Sequence, residues 1–184
     1  NAMYNVADVT VNIASNEGWG LSSTESLLAG TPIINNVTGG LQDQCGFLDE
    51  NNKWIGFDTK FSTNHKGRYK LNHGKWAIPV FPSNRSLQGS PQTPYIFDSR
   101  ASIIDIAKRM KEVYDLGPKK RKELGDKARE WCLSKEAGFT AEHQGARVIE
   151  AIDELFDTWE SREAFEVIDT DEDIRKIQTH NLVY

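Results

Sequence analysis

The segment that most limits how this chain can fold is residues 9–36. VTVNIA at 9–14 is rich in β-branched residues and bounded by Asp8 and Ser15, which predicts a short buried strand. A glycine-rich turn follows, Glu17-Gly18-Trp19-Gly20-Leu21. Residues 22–29 have helical composition. Ser22 suits the N-cap, and Ser22 with Glu25 matches the S-x-x-E capping box. Gly30 stands where a helix closes through a left-handed residue, and Pro32 prevents continuation. IINN at 33–36 predicts a second strand. Strand, turn, helix and strand in under thirty residues make a βαβ unit, whose two strands must run parallel. The fold class is therefore α/β.

The turn has chemical meaning. A Gly-x-Gly sequence lets backbone N–H groups approach a ligand closely. Here it feeds a helix N-terminus, where free N–H groups and the helix dipole favour an anion. In open α/β sheets, ligands collect at the carboxyl ends of the strands, where this turn lies. Glu17 and Glu25 flank the anion position. Carboxylates repel phosphate but accept hydrogen bonds from hydroxyls. A nucleotide sugar carries hydroxyls at both ends of its diphosphate, so one carboxylate could hold the hexose and the other the ribose.

The remainder divides by composition. Asn1-Ala2 before Met3 reads as a cloning scar, and 3–45 holds the βαβ unit. Residues 46–98 are rich in Gly, Asn, Pro and aromatics, with β-leaning runs at 54–57, 76–81 and 95–98. They predict a β-rich insertion, made of hairpins or of an excursion from the main sheet. Pro79, Pro82, Pro91 and Pro94 exclude long helices there. Closing helices are expected over 99–160. Ile103, Ile106, Ala107, Met110, Val113 and Tyr114 stripe the first. Gly117-Pro118 separates it from a second, striped by Leu124, Ala128, Trp131 and Cys132. A third begins near Thr140 and carries Ile149, Ile152, Leu155, Phe156 and Trp159. Residues 161–184 form an acidic tail.

Charge and cysteine usage exclude several classes. With 22 Lys plus Arg against 27 Asp plus Glu, the net charge of −5 argues against a general nucleic-acid binder. No apolar run approaches the ~18 residues of a membrane span, so no transmembrane segment is expected. The N-terminus lacks a cationic region followed by an apolar one, so a cytoplasmic location is expected. Cys45 and Cys132 make neither a disulfide framework nor a metal cluster, and the four histidines form no ligand pair at helical spacing. Seven basic and three acidic residues in 118–135 contrast with eleven acidic and one basic in 150–173. Such runs are usually solvated helix faces.

Residues 15–40 resemble the E-x7-E signature of retaining glycosyltransferases of the GT-B type. Ala7-Asp8-Val9 leads the strand, and Ser15 precedes Glu17-Gly18-Trp19-Gly20-Leu21. Glu25, Ala29-Gly30-Thr31-Pro32 and Gly39-Gly40 follow at the family spacing. The likeness is strong over 4–42 and returns weakly at 101–160. It implies a partial Rossmann-like parallel sheet, the C-terminal half of a donor-binding domain. It also implies that Glu17 contacts donor-sugar hydroxyls and acts as the catalytic residue, and that Glu25 binds the ribose. Backbone N–H groups of Gly18, Trp19, Gly20, Leu21 and Ser22 would bind the sugar and diphosphate. Trp19 serves better as packing beneath the turn than as a stacking platform. Such enzymes need no metal, so no cofactor is expected beyond the nucleoside diphosphate sugar that serves as donor.

The family's enzymes are about twice this length, with an N-terminal acceptor domain and a basic pair for the diphosphate. Residues 1–50 contain no Lys or Arg. Like charges ~4 Å apart cost about 4 kcal/mol at an effective dielectric of ~20. The chain is thus expected to be a fragment, poorly active alone, with a sheet edge left open at strand 9–14 or its neighbour. That edge would pair into a homodimer or be covered by the insertion or the closing helices. Alternative readings are a nucleotide-sugar epimerase or a phosphorylase of related fold, or a non-catalytic domain that interacts through the acidic 150–173 face.

Overall fold

The computed structural model describes residues 2–55 and 70–161. The chain divides into two compact units, Asn1–Gly145 and Ala146–Tyr184. In the first, strands β1 (Thr10–Asn12), β2 (Ile33–Asn36) and β3 (Ala77–Val80) form a parallel sheet in the order β1-β2-β3. Thr10 stands beside Ile33, and Ile33 beside Ala77. The parallel β1–β2 pair follows the sequence reading. The helix between them is α2 (Leu21–Ala29), closed as expected by Gly30 in the left-handed region. A short helix α1 (Ala2–Val6) precedes β1.

Alternation along β2 builds two cores. Ile33 packs with Leu27, Phe47, Ala77, Ala128 and Cys132 on one face. Ile34 packs with Ile78, Val80 and Val113 on the other. Helices α2 and α4 (Gly117–Leu133) supply the first face and α3 (Ile103–Asp115) the second. All four residues of β2 are buried, as a strand covered on both sides requires. The stripe on α4 behaves as its periodicity predicts: Leu124, Ala128 and Cys132 are buried, and Pro118 sits in its first turn. Where α2 meets α4, a side chain at Gly125 would overlap the Gly30 carbonyl, so only glycine permits this approach.

Several expectations need correction. The predicted buried strand at 9–14 is a three-residue, half-buried strand. It lies at the edge of the sheet, and Val11 and, just beyond the strand, Ile13 are 37% and 44% exposed. The run at 76–81 is not part of an excursion. It supplies β3, buried throughout and parallel to β2. Pro79 is tolerated because β3 is the opposite edge: Trp76 and Val80 present their carbonyls to β2, which turns Pro79 outward. Leaving the main sheet falls to an antiparallel hairpin, β4 (Pro82–Ser90) and β5 (Thr93–Ala101), longer than the short strand expected at 95–98. Trp54 forms one isolated bridge with Leu48, while residues 56–57 of that run lie outside the described residues.

The stripe on α3 is only partly used. Val113 is buried and Ile106 packs against the core, but Ile103, Met110 and Tyr114 are exposed. The last helix, α5 (Ala141–Thr158), starts as predicted yet buries none of its stripe. The acidic tail from 162 onward lies outside the described residues. Among the described residues, no helix is long and apolar enough to cross a membrane.

Candidate functional site

The glycine-rich turn sits at the carboxyl end of β1 and enters α2. The N-cap stands two positions earlier than the capping-box reading places it. Gly20 is the N-cap at φ 88° and ψ 68°, and no side chain caps the first turn. A left-handed N-cap turns the chain sharply enough that Ser22 is already inside the helix. Its hydroxyl accepts instead from Asn12 Nδ2 at 3.4 Å.

The elbow rests on Gly39-Gly40. The Gly40 N–H donates to the Glu17 carbonyl at 3.2 Å. A Cβ on Gly40 would stand 2.7 Å from Trp19 Cα, and one on Gly39 would overlap the Glu17 carbonyl. These two glycines are therefore set by backbone contact beneath the elbow. Gln44, wholly buried, secures the next carbonyls: its Nε2 donates to those of Trp19 and Gly20. Its Oε1 accepts from the Thr24 hydroxyl at 3.0 Å, and Thr24 in turn accepts the Trp19 indole N–H at 2.8 Å. The Trp19 ring meets Phe139 edge-on at 5.2 Å. That occupies the indole in packing, as the sequence reading favoured.

The carbonyls of the elbow at Glu17, Trp19 and Gly20 are taken up by the Gly40 N–H and by Gln44. No described residue accepts from the backbone N–H groups of Gly18, Trp19, Gly20, Leu21 or Ser22. Gly18, Leu21 and Ser22 are exposed, and the space a Gly18 side chain would fill is open. Unpaired amides at the first turn of a nine-residue helix are an arrangement that can accept an anion, by geometry and by dipole. Glu17 is half-buried beside them, its Cγ 3.4 Å from where a Gly20 Cβ would stand.

Glu25 lies one helical turn further on, about 6 Å along the axis from Leu21. It is exposed and accepts a hydrogen bond from the Tyr4 hydroxyl at 2.8 Å. This bond pushes the Tyr4 phenol above its usual pKa, since the acidic proton is held by a carboxylate. Glu25, Tyr4, Asn5, Leu28 and Arg129 line a cleft of about 430 Å³. Arg129, from α4, also donates to the Leu28 carbonyl. Glu17 is not among the residues lining this cleft, so this cleft does not bring the two carboxylates together.

Residues that sequence reasoning did not single out hold the site in place. Asn35 accepts from the Ser23 hydroxyl at 3.0 Å and donates to the Leu41 carbonyl, tying β2 to α2. Asn36 donates to the carbonyls of Ala14 and Ser99, fastening the β4–β5 hairpin to the segment that leads into the elbow. The available signal was two asparagines where a parallel strand should be apolar. Compared with known family models and with curated proteins, the chain matches none.

Proposed function

We propose that this chain is the nucleotide-sugar-binding part of a retaining glycosyltransferase, built on a partial Rossmann-like sheet. The elbow at Gly18–Ser22 holds the donor diphosphate. The observation that carries the reading is the run of amides from Gly18 to Ser22 for which no described residue supplies an acceptor, exposed at Gly18, Leu21 and Ser22, where the carboxyl end of a parallel strand enters α2. The likeness of residues 15–40 to the E-x7-E signature supports it.

In this reading a sugar passes from a nucleoside diphosphate to an acceptor hydroxyl with retention at the anomeric carbon. The bond from that carbon to the diphosphate oxygen breaks as positive charge spreads over the ring and negative charge gathers on the leaving group. Amides aimed at that growing charge stabilise it without reorganising. Residues 1–50 contribute no Lys or Arg, so the backbone and the α2 dipole carry this role within the segment. Glu17 accepts hydrogen bonds from sugar hydroxyls and fixes the ring's orientation. Glu25 accepts from the ribose hydroxyls through Oε1, while Tyr4 engages Oε2.

Saturation-transfer NMR with a panel of nucleoside diphosphates and their hexose conjugates tests the reading. Transfer to ribose and hexose protons is expected. Glu25→Ala should weaken nucleotide binding about tenfold, equivalent to ~1.4 kcal/mol. Absence of any nucleoside diphosphate binding, or binding untouched by Glu25→Ala and by Gly18→Val together, refutes the assignment.

A further inference from the structure

Helix α5 carries an apolar seam that is exposed among the described residues. Val148, Ile149, Ile152, Leu155, Phe156 and Trp159 are between 45% and 78% exposed. At ~100° per residue these six share one face, and Glu150, Asp153, Glu154, Asp157 and Glu160 all lie roughly 80° or more from its centre. On one side the seam is bordered by the uncharged Ala151 and Thr158, and on the other by Glu160 and Asp153.

We infer that the occupant of this seam is the same helix of a second copy, laid antiparallel across a two-fold axis. Three features favour a second copy. The central residues Val148, Ile152, Leu155 and Trp159 are spaced four, three and four apart. That spacing reads identically in both directions, so a reversed copy meets it in register. Val148 then opposes the partner's Trp159, and Ile152 opposes the partner's Leu155. Next, sizes alternate across the pair. The largest side chain of the seam, Trp159, faces the smallest, Val148, the large-against-small fit that knobs-into-holes packing needs. Last, the six side chains expose on the order of 700–800 Å² per copy, about what one partner gives to a stable interface. Glu150, Glu154 and Asp157 lie on the far side of the helix, so pairing keeps those charges out of the contact.

The test is the mass of the full chain by sedimentation velocity over a concentration series. Twice the chain mass is expected at high concentration, falling to the monomer on dilution. Ile152→Glu should be monomeric where the parent is dimeric. Glutamate keeps helix propensity, and far-UV circular dichroism verifies that the helix persists. Phe156→Ala introduces no charge and should raise the dimer dissociation constant at least tenfold. Glu150→Gln, on the outer face, should leave it unchanged. A parent chain that stays monomeric throughout overturns the inference. So does a dimer that survives both Ile152→Glu and Phe156→Ala, which would move the contact elsewhere, the open edge of β1 included.

Discussion

Gly40→Ala probes what holds the elbow in shape. Gly40 is buried and its φ is not positive, so a methyl group there adds no backbone strain of the left-handed kind. The cost comes from space alone. The new Cβ would stand 2.7 Å from Trp19 Cα and closer still to the Gly18 carbonyl, and both are backbone atoms that cannot rotate aside. Overpacking of this kind costs ~1–3 kcal/mol. Displacing the elbow also breaks the Gly40 N–H bond to the Glu17 carbonyl, about 1 kcal/mol more. Together the loss is roughly 2–4 kcal/mol, or a fall in Tm of roughly 4–16 °C for a chain of this size. Gly18→Ala is the control. It is exposed with nothing within 4 Å of its Cβ position, and should lie within ~0.5 kcal/mol of the parent. Thermal melts followed by tryptophan fluorescence report both, Trp19 being in the affected turn. Equal melting temperatures for the two variants would falsify the account of Gly39-Gly40 as the seat of the elbow.

Gln44→Leu should cost about 2–3 kcal/mol in urea titration, because the buried carbonyls of Trp19 and Gly20 lose their donor; a cost below ~0.5 kcal/mol would mean that water replaces it. Gly125→Ala, which drives a methyl into the Gly30 carbonyl, should destabilise by several kcal/mol and separate α4 from α2, read as loss of protection in amide exchange over both helices. Burial pushes the Cys132 thiol up to about 12. The unfolded thiol ionises near 8.5, so stability is intact below that pH. It falls as pH rises toward 12, with a slope of up to ~1.4 kcal/mol per unit from this group. Cys132→Ala should remove that contribution, and identical pH slopes for parent and variant count against it. Tyr4→Phe frees Glu25 Oε2 and should tighten nucleoside diphosphate binding severalfold by calorimetry; weaker binding would show that Tyr4 helps to hold the ligand.

Much of the fold could be read from residue order. The βαβ unit, the Gly30 stop, the Gly117-Pro118 break and the buried stripe of α4 depend on local turn chemistry and periodicity. Those signals survive in a single chain because each residue's neighbours within four positions carry them. The glycine elbow and its acidic flanks were legible for the same reason. The helix start was not, because Ser22 satisfies the capping rule as well as Gly20 does. Which residue caps α2 depends on how Leu41 and Gly40 press on the turn from another part of the chain.

What the linear order determined is the set of local conformations and the periodic faces: which stretches could be strands, where helices stop, and where amides gather. The tertiary structure decided their partners. It took residues 77–80 into the parallel sheet rather than into a hairpin, and it buried Asn35, Asn36 and Gln44 as the fasteners of the carboxyl edge. It also left the stripes of α3 and α5 largely open. The physical reason is that periodicity announces an apolar face but carries no address. Which surface covers that face is fixed only when segments distant in sequence compete for it in space.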